Sequence, residues 1–167
     1  MLVDEGTVIR QSLWVNVRRV TGTGAVESSV APTGAQPAAL LADNQTDTAE
    51  FSFRIPTSFK KLVKARVVII SGGTGNMDRQ FSANGGGDGQ NAAARADSVS
   101  SALLAVTTPL VKEDDVSGTL DTMLAGDTVA LVYQRNGAAA GDTVGADVFV
   151  VGFYMEFLAA LEQSQPL

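Results

Sequence analysis

The chain has 167 residues, of which 45% are hydrophobic and only 18% charged, with a formal net charge of −6. That is the size of one domain with enough apolar content for a real core, and it is not the composition of a disordered chain. Cysteine and histidine are both absent, which excludes disulfides, thiol nucleophiles, Cys or His metal ligands and the usual general base, while the acidic balance argues against a nucleic-acid partner.

The opening MLVDEGTVIRQ places Asp4 and Glu5 where a signal peptide would carry a basic flank and an apolar core. No apolar run approaches the roughly 18 residues of a membrane span. The chain therefore reads as soluble and unprocessed, with no membrane partner. Residues 12–20, SLWVNVRRV, alternate, with Leu13, Val15 and Val17 on one side and Trp14 opposite, and predict a strand. For Trp14 the plain reading is core or interface packing; stacking on a sugar is the sharper alternative. Residues 21–48 are rich in Gly, Ala, Pro, Ser and Thr with little periodicity, and read as a linker or long arm. Such a segment has little to bury in a sandwich of its own, and fixing its backbone costs about 1–2 kcal/mol per residue. The expectation is that residues 1–47 form a strand and an arm ordered by partner chains, with Leu2, Val3, Trp14, Leu40 and Leu41 as contact candidates.

TAEFSFRIP follows as an amphipathic strand, with Phe51, Phe53 and Ile55 opposite Glu50, Ser52 and Arg54, stopped by Pro56. TSFKKL is a short bridge, and VKARVVIIS is a β-branched, buried strand. GGTGN then turns the chain into MDRQFSA, so residues 62–84 predict a β-hairpin around glycines that supply positive φ. NGGGDGQNAAARADS is a second loop. SVSSALLAVTTPLV fits strand or helix, with Pro109 ending any helix. DDVSGTLDTMLAGDTV predicts a strand end and a short helix-like crossing over Leu120, Met123 and Leu124. TVALVYQR, a turn-rich connection and VFVVGFYMEFLAAL complete the series; the last strand is apolar on both faces. Seven or eight strands, few helices and many Gly/Asn/Asp turns predict an all-β protein, an antiparallel β-sandwich of jelly-roll type over 48–158, with a tail at 159–167.

The glycine-rich stretch 71–91, with seven glycines, invites a test for chemistry. A phosphate-binding P-loop needs a lysine after its last glycine, and there is none between Lys64 and Lys112. From Gly73 the order G-T-G-N-M-D lacks the third glycine of a dinucleotide fingerprint. Asp88 with Asn84 and Asn91 offers at most an adventitious cation site, since the EF-hand glutamate is missing and a single RTX-like turn does not stack. Catalysis by two carboxylates remains unspecific, and one Trp and two Tyr are few for sugar platforms. The reading is a binding or structural protein, not an enzyme, with no cofactor and no metal. Charge is uneven: Arg54, Lys60, Lys61, Lys64 and Arg66 cluster, while only Lys112 and Arg135 stand against nine acids after residue 100. Ordinary solvated faces explain this; complementary patches docking subunits are the alternative.

Three segments together, FSFRIPTSFKKLVKARVVIISGGTGNMDRQFSA, DDVSGTLDTMLAGDTVALVYQRNG and DVFVVGFYMEF, resemble the β-sandwich structural proteins of tailed bacteriophages and related viruses. The resemblance implies a jelly-roll virion protein on the capsid surface. Its first reading is a decoration (cement) protein that forms a homotrimer and ties the major capsid protein's lattice together. A fibre or spike module that binds a host receptor is the second reading. A carbohydrate-binding β-sandwich is the rival from outside that group; exposed aromatic rows would favour it, while interlocking arms on a shell would favour the cement reading.

Overall fold

The structure, a computed structural model, describes residues 8–30 and 37–161. Its strands in chain order are β1 (Val8–Val15), β2 (Arg19–Thr21), β3 (Val26–Val30), β4 (Pro37–Leu41), β5 (Thr46–Arg54), β6 (Phe59–Ser71), β7 (Gly75–Gly86), β8 (Asp97–Val106), β9 (Val111–Asp115), β10 (Thr128–Asn136) and β11 (Val148–Ala160), with one 3₁₀ turn at Ser117–Thr119. The first sheet runs β3-β4-β11-β6-β9, and the second runs β2-β5-β10-β7-β8. All the strand pairs are antiparallel. From β4 onward the chain crosses between β4-β11-β6-β9 and β5-β10-β7-β8 at every connection except β7–β8, which stays within the second sheet. That is jelly-roll topology, eight strands in two packed sheets, and it realises the fold class read from the sequence.

The alternation of the strands fills the space between the sheets. Phe51 and Phe53 of β5 point inward to Phe153 of β11, with ring centroids 5.8 and 5.0 Å apart, and Phe59 meets Phe157 at 5.7 Å. Each of these rings is at least nine-tenths buried, so each contributes roughly 1.5–3 kcal/mol of apolar transfer free energy. β11 is apolar on both faces because it is central and long: β6 flanks one side of it, while β4 and then β1 share the other.

The structure corrects three expectations. Residues 12–20 are not one strand. β1 ends at Val15 in the first sheet, and β2 begins at Arg19 in the second. The apolar alternation runs through the switch, so periodicity cannot see it. Residues 62–84 are not a hairpin either, since β6 and β7 lie in different sheets and the glycine turn carries the chain between them. Its glycines answer a close approach rather than a need for positive φ: a Cβ on Gly73 would stand 2.3 Å from the Val144 carbonyl oxygen. Finally, the arm at 21–48 contributes β3 and β4 to the chain's own first sheet, and β1 pairs with β11. The sandwich therefore begins well before residue 48 and reaches Ala160. β4 escapes a periodicity search because PAALL is only five residues long and its small side chains are buried against β11 and the core.

Candidate ligand-binding face

Burial alternates along β5, β7 and β10, and what remains outside is a grid of short polar side chains. Cross-strand register places Thr21, Thr48, Gln134 and Gln80 in one row over four strands of the second sheet. The next row is Arg19, Glu50, Val132, Ser82 and Ser98, and the one after it Ser52, Ala130 and Asn84. Hydroxyl and carboxamide groups each both donate and accept hydrogen bonds. Val132 and Ala130 form an aliphatic strip along the central strand between them. About 320 Å³ of open groove lies over Gln80, Ser82, Ser98, Ser100, Val132 and Gln134. A second stretch of about 500 Å³ continues over Ser52, Asn84, Gln90, Asn91, Thr128 and Ala130.

The end of this groove is shaped by the glycine-rich loop after β7. A Cβ on Gly86 would fall 2.3 Å from the Asn91 carbonyl oxygen, so the loop folds back tightly on the strand. Arg95 holds it there. Its backbone N–H donates to the Gly85 carbonyl at 2.9 Å and its Nη1 to Gln90 Oε1 at 2.8 Å. Its Nε stands 3.0 Å from Asp127 Oδ2, but neither that nitrogen nor Asp127 Oδ1 makes a hydrogen bond, so the contact is an ion pair. Asp127 is 1% exposed and accepts the Leu124 N–H at 2.7 Å. The Arg95 guanidinium is thus the cation of this corner. Among the described residues no group of three His, Cys, Asp or Glu side chains is arranged to hold a metal ion. Asp88 is exposed in the loop, apart from the groove-facing Asn84.

Behind the grid, charged groups lock the two sheets together. Arg79 of β7 grips Asp114 of β9 with Nε–Oδ2 at 2.7 Å and Nη2–Oδ1 at 3.1 Å, and the Tyr133 hydroxyl donates to Asp114 Oδ2 at 2.8 Å. Burial, then the Asp114 carboxylate, push the Tyr133 phenol well above its ordinary pKa. Tyr133 is fully buried and offers no sugar platform. Arg135 is also fully buried. It meets Asp142 through two hydrogen bonds of 3.0 and 2.9 Å, and donates to the Ala146 carbonyl at 2.8 Å and the Leu41 carbonyl at 3.2 Å. The acids of the second half are thus partly neutralised from within.

The contact candidates fall in different places. Leu2 and Val3 lie outside the described residues. Trp14 is half exposed on the first sheet and lies over Gly152, where a Cβ would come within 2.4 Å of its ring. Its Nε1 donates to Asn16 Oδ1 at 3.0 Å. Leu41 is fully buried in the chain's own core, which removes it as a docking residue. Leu40 packs on the outer side of the first sheet with Ile70 and Phe149. Trp14, Leu40 and Leu41 do not belong to the grid. The basic cluster also finds partners within the chain: Lys64 Nζ stands 2.9 Å from Glu156, and Arg66 pairs with Asp115. A depression of about 490 Å³ between Phe59–Leu62 and Asp121–Ala125 lies away from the grid, lined by Lys60, Lys61 and exposed Leu124. The grid residues themselves were readable as the polar half of three alternating strands; their assembly into one face required the pairing order.

No family model matches the sequence, and no curated protein matches it. Solved structures similar to the chain include TmCBM61 in complex with beta-1,4-galactotriose, at 16% identity and a TM-score of 0.35, covering 85% of this chain and 87% of that one. A family 11 carbohydrate-binding module from Clostridium thermocellum, in complex with a beta-1,3-1,4-mixed-linked tetrasaccharide, aligns at 14% identity and a TM-score of 0.42 over 96% and 94% of the two chains. The family 11 module of the cellulosomal cellulase Lic26A-Cel5E aligns at 14% and 0.42 over 97% and 94%. The likeness is one of β-sandwich architecture. Nothing in these comparisons points to a phage or viral protein.

Proposed function

We propose that this chain is a non-catalytic binding module that takes a neutral, polyhydroxylated ligand, a glycan chain, along the outer face of the second sheet. The observation that carries this reading is the hydroxyl and carboxamide grid around the Val132–Ala130 strip, with open groove above it. A sugar hydroxyl both donates and accepts, and it is best matched by groups that do the same. The C–H face of a pyranose meets the aliphatic strip. No aromatic side chain stands in the three rows of the grid, so hydrogen bonds carry the affinity, each worth about 0.5–1.5 kcal/mol net. A neutral ligand also suits a chain of net charge −6, which would repel an acidic polysaccharide. The virion role implied by the sequence resemblance rests on the jelly roll alone, and a fold does not carry a function.

Affinity electrophoresis through gels containing neutral β-glucans, galactans, mannans or xylans, beside acidic pectin, tests the reading. The wild-type chain should be retarded by at least one neutral polymer and Gln80→Ala/Gln134→Ala should not. Unretarded migration of the wild type in every gel would remove the glycan reading.

A further inference from the structure

Gln134 stands in the first row of the grid, and its amide is not free to turn. Its Nε2 donates to Asn136 Oδ1 at 2.5 Å, and Asn136 Nδ2 donates to Asp78 Oδ1 at 3.0 Å. Ser101 donates its hydroxyl to the same carboxylate oxygen. Gln134 and Asn136 are two residues apart on β10, so their side chains share the outer face, and Asp78 lies on the neighbouring β7. Asp78 is 8% exposed. The connection after β10 packs against it: a Cβ on Gly141 would stand 3.6 Å from Asp78 Oδ2, and the Asp78 N–H donates to Asp142 Oδ2 at 3.2 Å. Of the three linked residues it is Gln134 that borders the open groove over Gln80, Ser82 and Val132.

We infer that Asp78 and Asn136 are positioning residues that fix the sense of the Gln134 amide, so that its carbonyl oxygen faces the groove as an acceptor for a ligand hydroxyl. A carboxylate only accepts hydrogen bonds, whereas a carboxamide can turn over and exchange donor for acceptor. Asn136 must therefore offer Asp78 its Nδ2, which leaves Oδ1 for the next residue. Gln134 must in turn offer Asn136 its Nε2, which leaves Oε1 for the groove. One buried carboxylate thus sets the direction of both amides. The ligand group that meets Gln134 has to donate: a free hydroxyl does so, and an ether or ester oxygen at that place does not. Ordering Gln134 before the ligand arrives also removes that cost from binding. The acceptor role rests on the glycan reading of this face; the order of the Gln134 amide in the free chain does not.

Hydrogen exchange of the side-chain amides in the ¹⁵N-labelled full chain, without any sugar, tests the fixed amide. The Gln134 NH2 protons should exchange about fivefold more slowly in the wild type than in Asn136→Ala, the factor that one hydrogen bond supplies. A Gln134 amide that exchanges in the wild type as fast as a solvated glutamine would overturn the inference, whether or not Asn136→Ala folds. Retardation in the neutral β-glucan, galactan, mannan and xylan gels then tests the acceptor. Asn136→Ala should weaken binding about fivefold in the wild-type background and make no difference in Gln134→Ala, because a residue that acts through Gln134 has nothing to act on in its absence. Equal weakening in both backgrounds would mark a general effect on the fold and would overturn the positioning role, as would no weakening in the wild type. If no gel retards the wild type while the exchange is slow, the glycan reading fails, and with it the acceptor role, while the ordered Gln134 amide stands.

Discussion

The two outer faces of this sandwich are built from the same strand alternation and come to opposite ends. On the first sheet, polar groups satisfy one another: Glu156 meets Lys64 at 2.9 Å and Arg10 at 3.5 Å, and the Tyr154 hydroxyl donates to Glu113 at 3.1 Å. Tyr154 and Glu156 together hold the Lys64 ammonium above its ordinary pKa. An apolar row, Val26, Leu40, Phe149, Ile70 and Val111, crosses the same face, with its middle members already packed on one another. On the second sheet the outer groups are mostly hydroxyls and amides over open groove, with Arg19 and Glu50 opposite one another at one edge. A face whose charges are paired internally has little left for a ligand. A face made mostly of uncharged donors and acceptors, solvated by water, can exchange that water for a polyol at low cost. The difference between the faces, more than the fold they share, is what points to a binding site.

The largest effect should come from breaking what both faces stand on. Asp114→Ala leaves Arg79 buried without its carboxylate and Tyr133 without an acceptor. Loss of one partner of a buried ion pair costs about 3–5 kcal/mol. A large fall in the urea midpoint should result, and binding should be lost with folding, not separately from it.

Variants on the grid should separate the two properties. Gln80→Ala/Gln134→Ala removes two half-buried amides of the outer face and should weaken glycan binding by about 2 kcal/mol, roughly 30-fold, with a much smaller change in melting temperature. Titration calorimetry beside thermal unfolding checks this.

The pH dependence sharpens the view of the core. The folded-state pKa of Tyr133 is raised above its unfolded value near 10. Its contribution to stability is therefore fully present below pH 10 and is lost as pH rises from there through the folded pKa, because the unfolded phenol releases its proton first. Stability of the wild type should fall with a slope approaching one proton above pH 10. In Tyr133→Phe that part of the slope should vanish, although the variant starts lower by about 1 kcal/mol for the lost hydrogen bond.

The smallest effect belongs to the first sheet's outer face. Glu156→Gln breaks the exposed pairs with Lys64 and Arg10, and exposed ion pairs are worth about 0–1 kcal/mol. Glycan affinity should not change, and the loss of stability should diminish further in molar salt.

β5, β7 and the stretch spanning β1–β2 were legible as alternation, and β6, β10 and β11 as β-branched or apolar runs between turn signals. The binding face was half legible. Thr48, Glu50 and Ser52, or Gln80, Ser82 and Asn84, could be seen as the polar side of a strand. That β10 lies between β5 and β7, with Gln134 flanked by Thr48 and Gln80, is a fact of long-range pairing that local pattern does not hold. Arg135 was legible only as an isolated cation; that it is fully buried against Asp142 depends on the connection after β10 returning to it. β4 stayed hidden because its burial comes from its neighbours and not from its own pattern.

On the proposed function, the second sheet's outer face, and not the first's, receives the ligand. Chemical-shift mapping with ¹⁵N-labelled chain and the neutral oligosaccharide that binds best in the gel screen tests it most directly. Shifts should concentrate at Thr48, Ser52, Gln80, Ser82, Asn84, Val132 and Gln134, with Lys64, Arg66, Tyr154 and Glu156 unmoved. Shifts centred on that second group, with the grid unmoved, would contradict it.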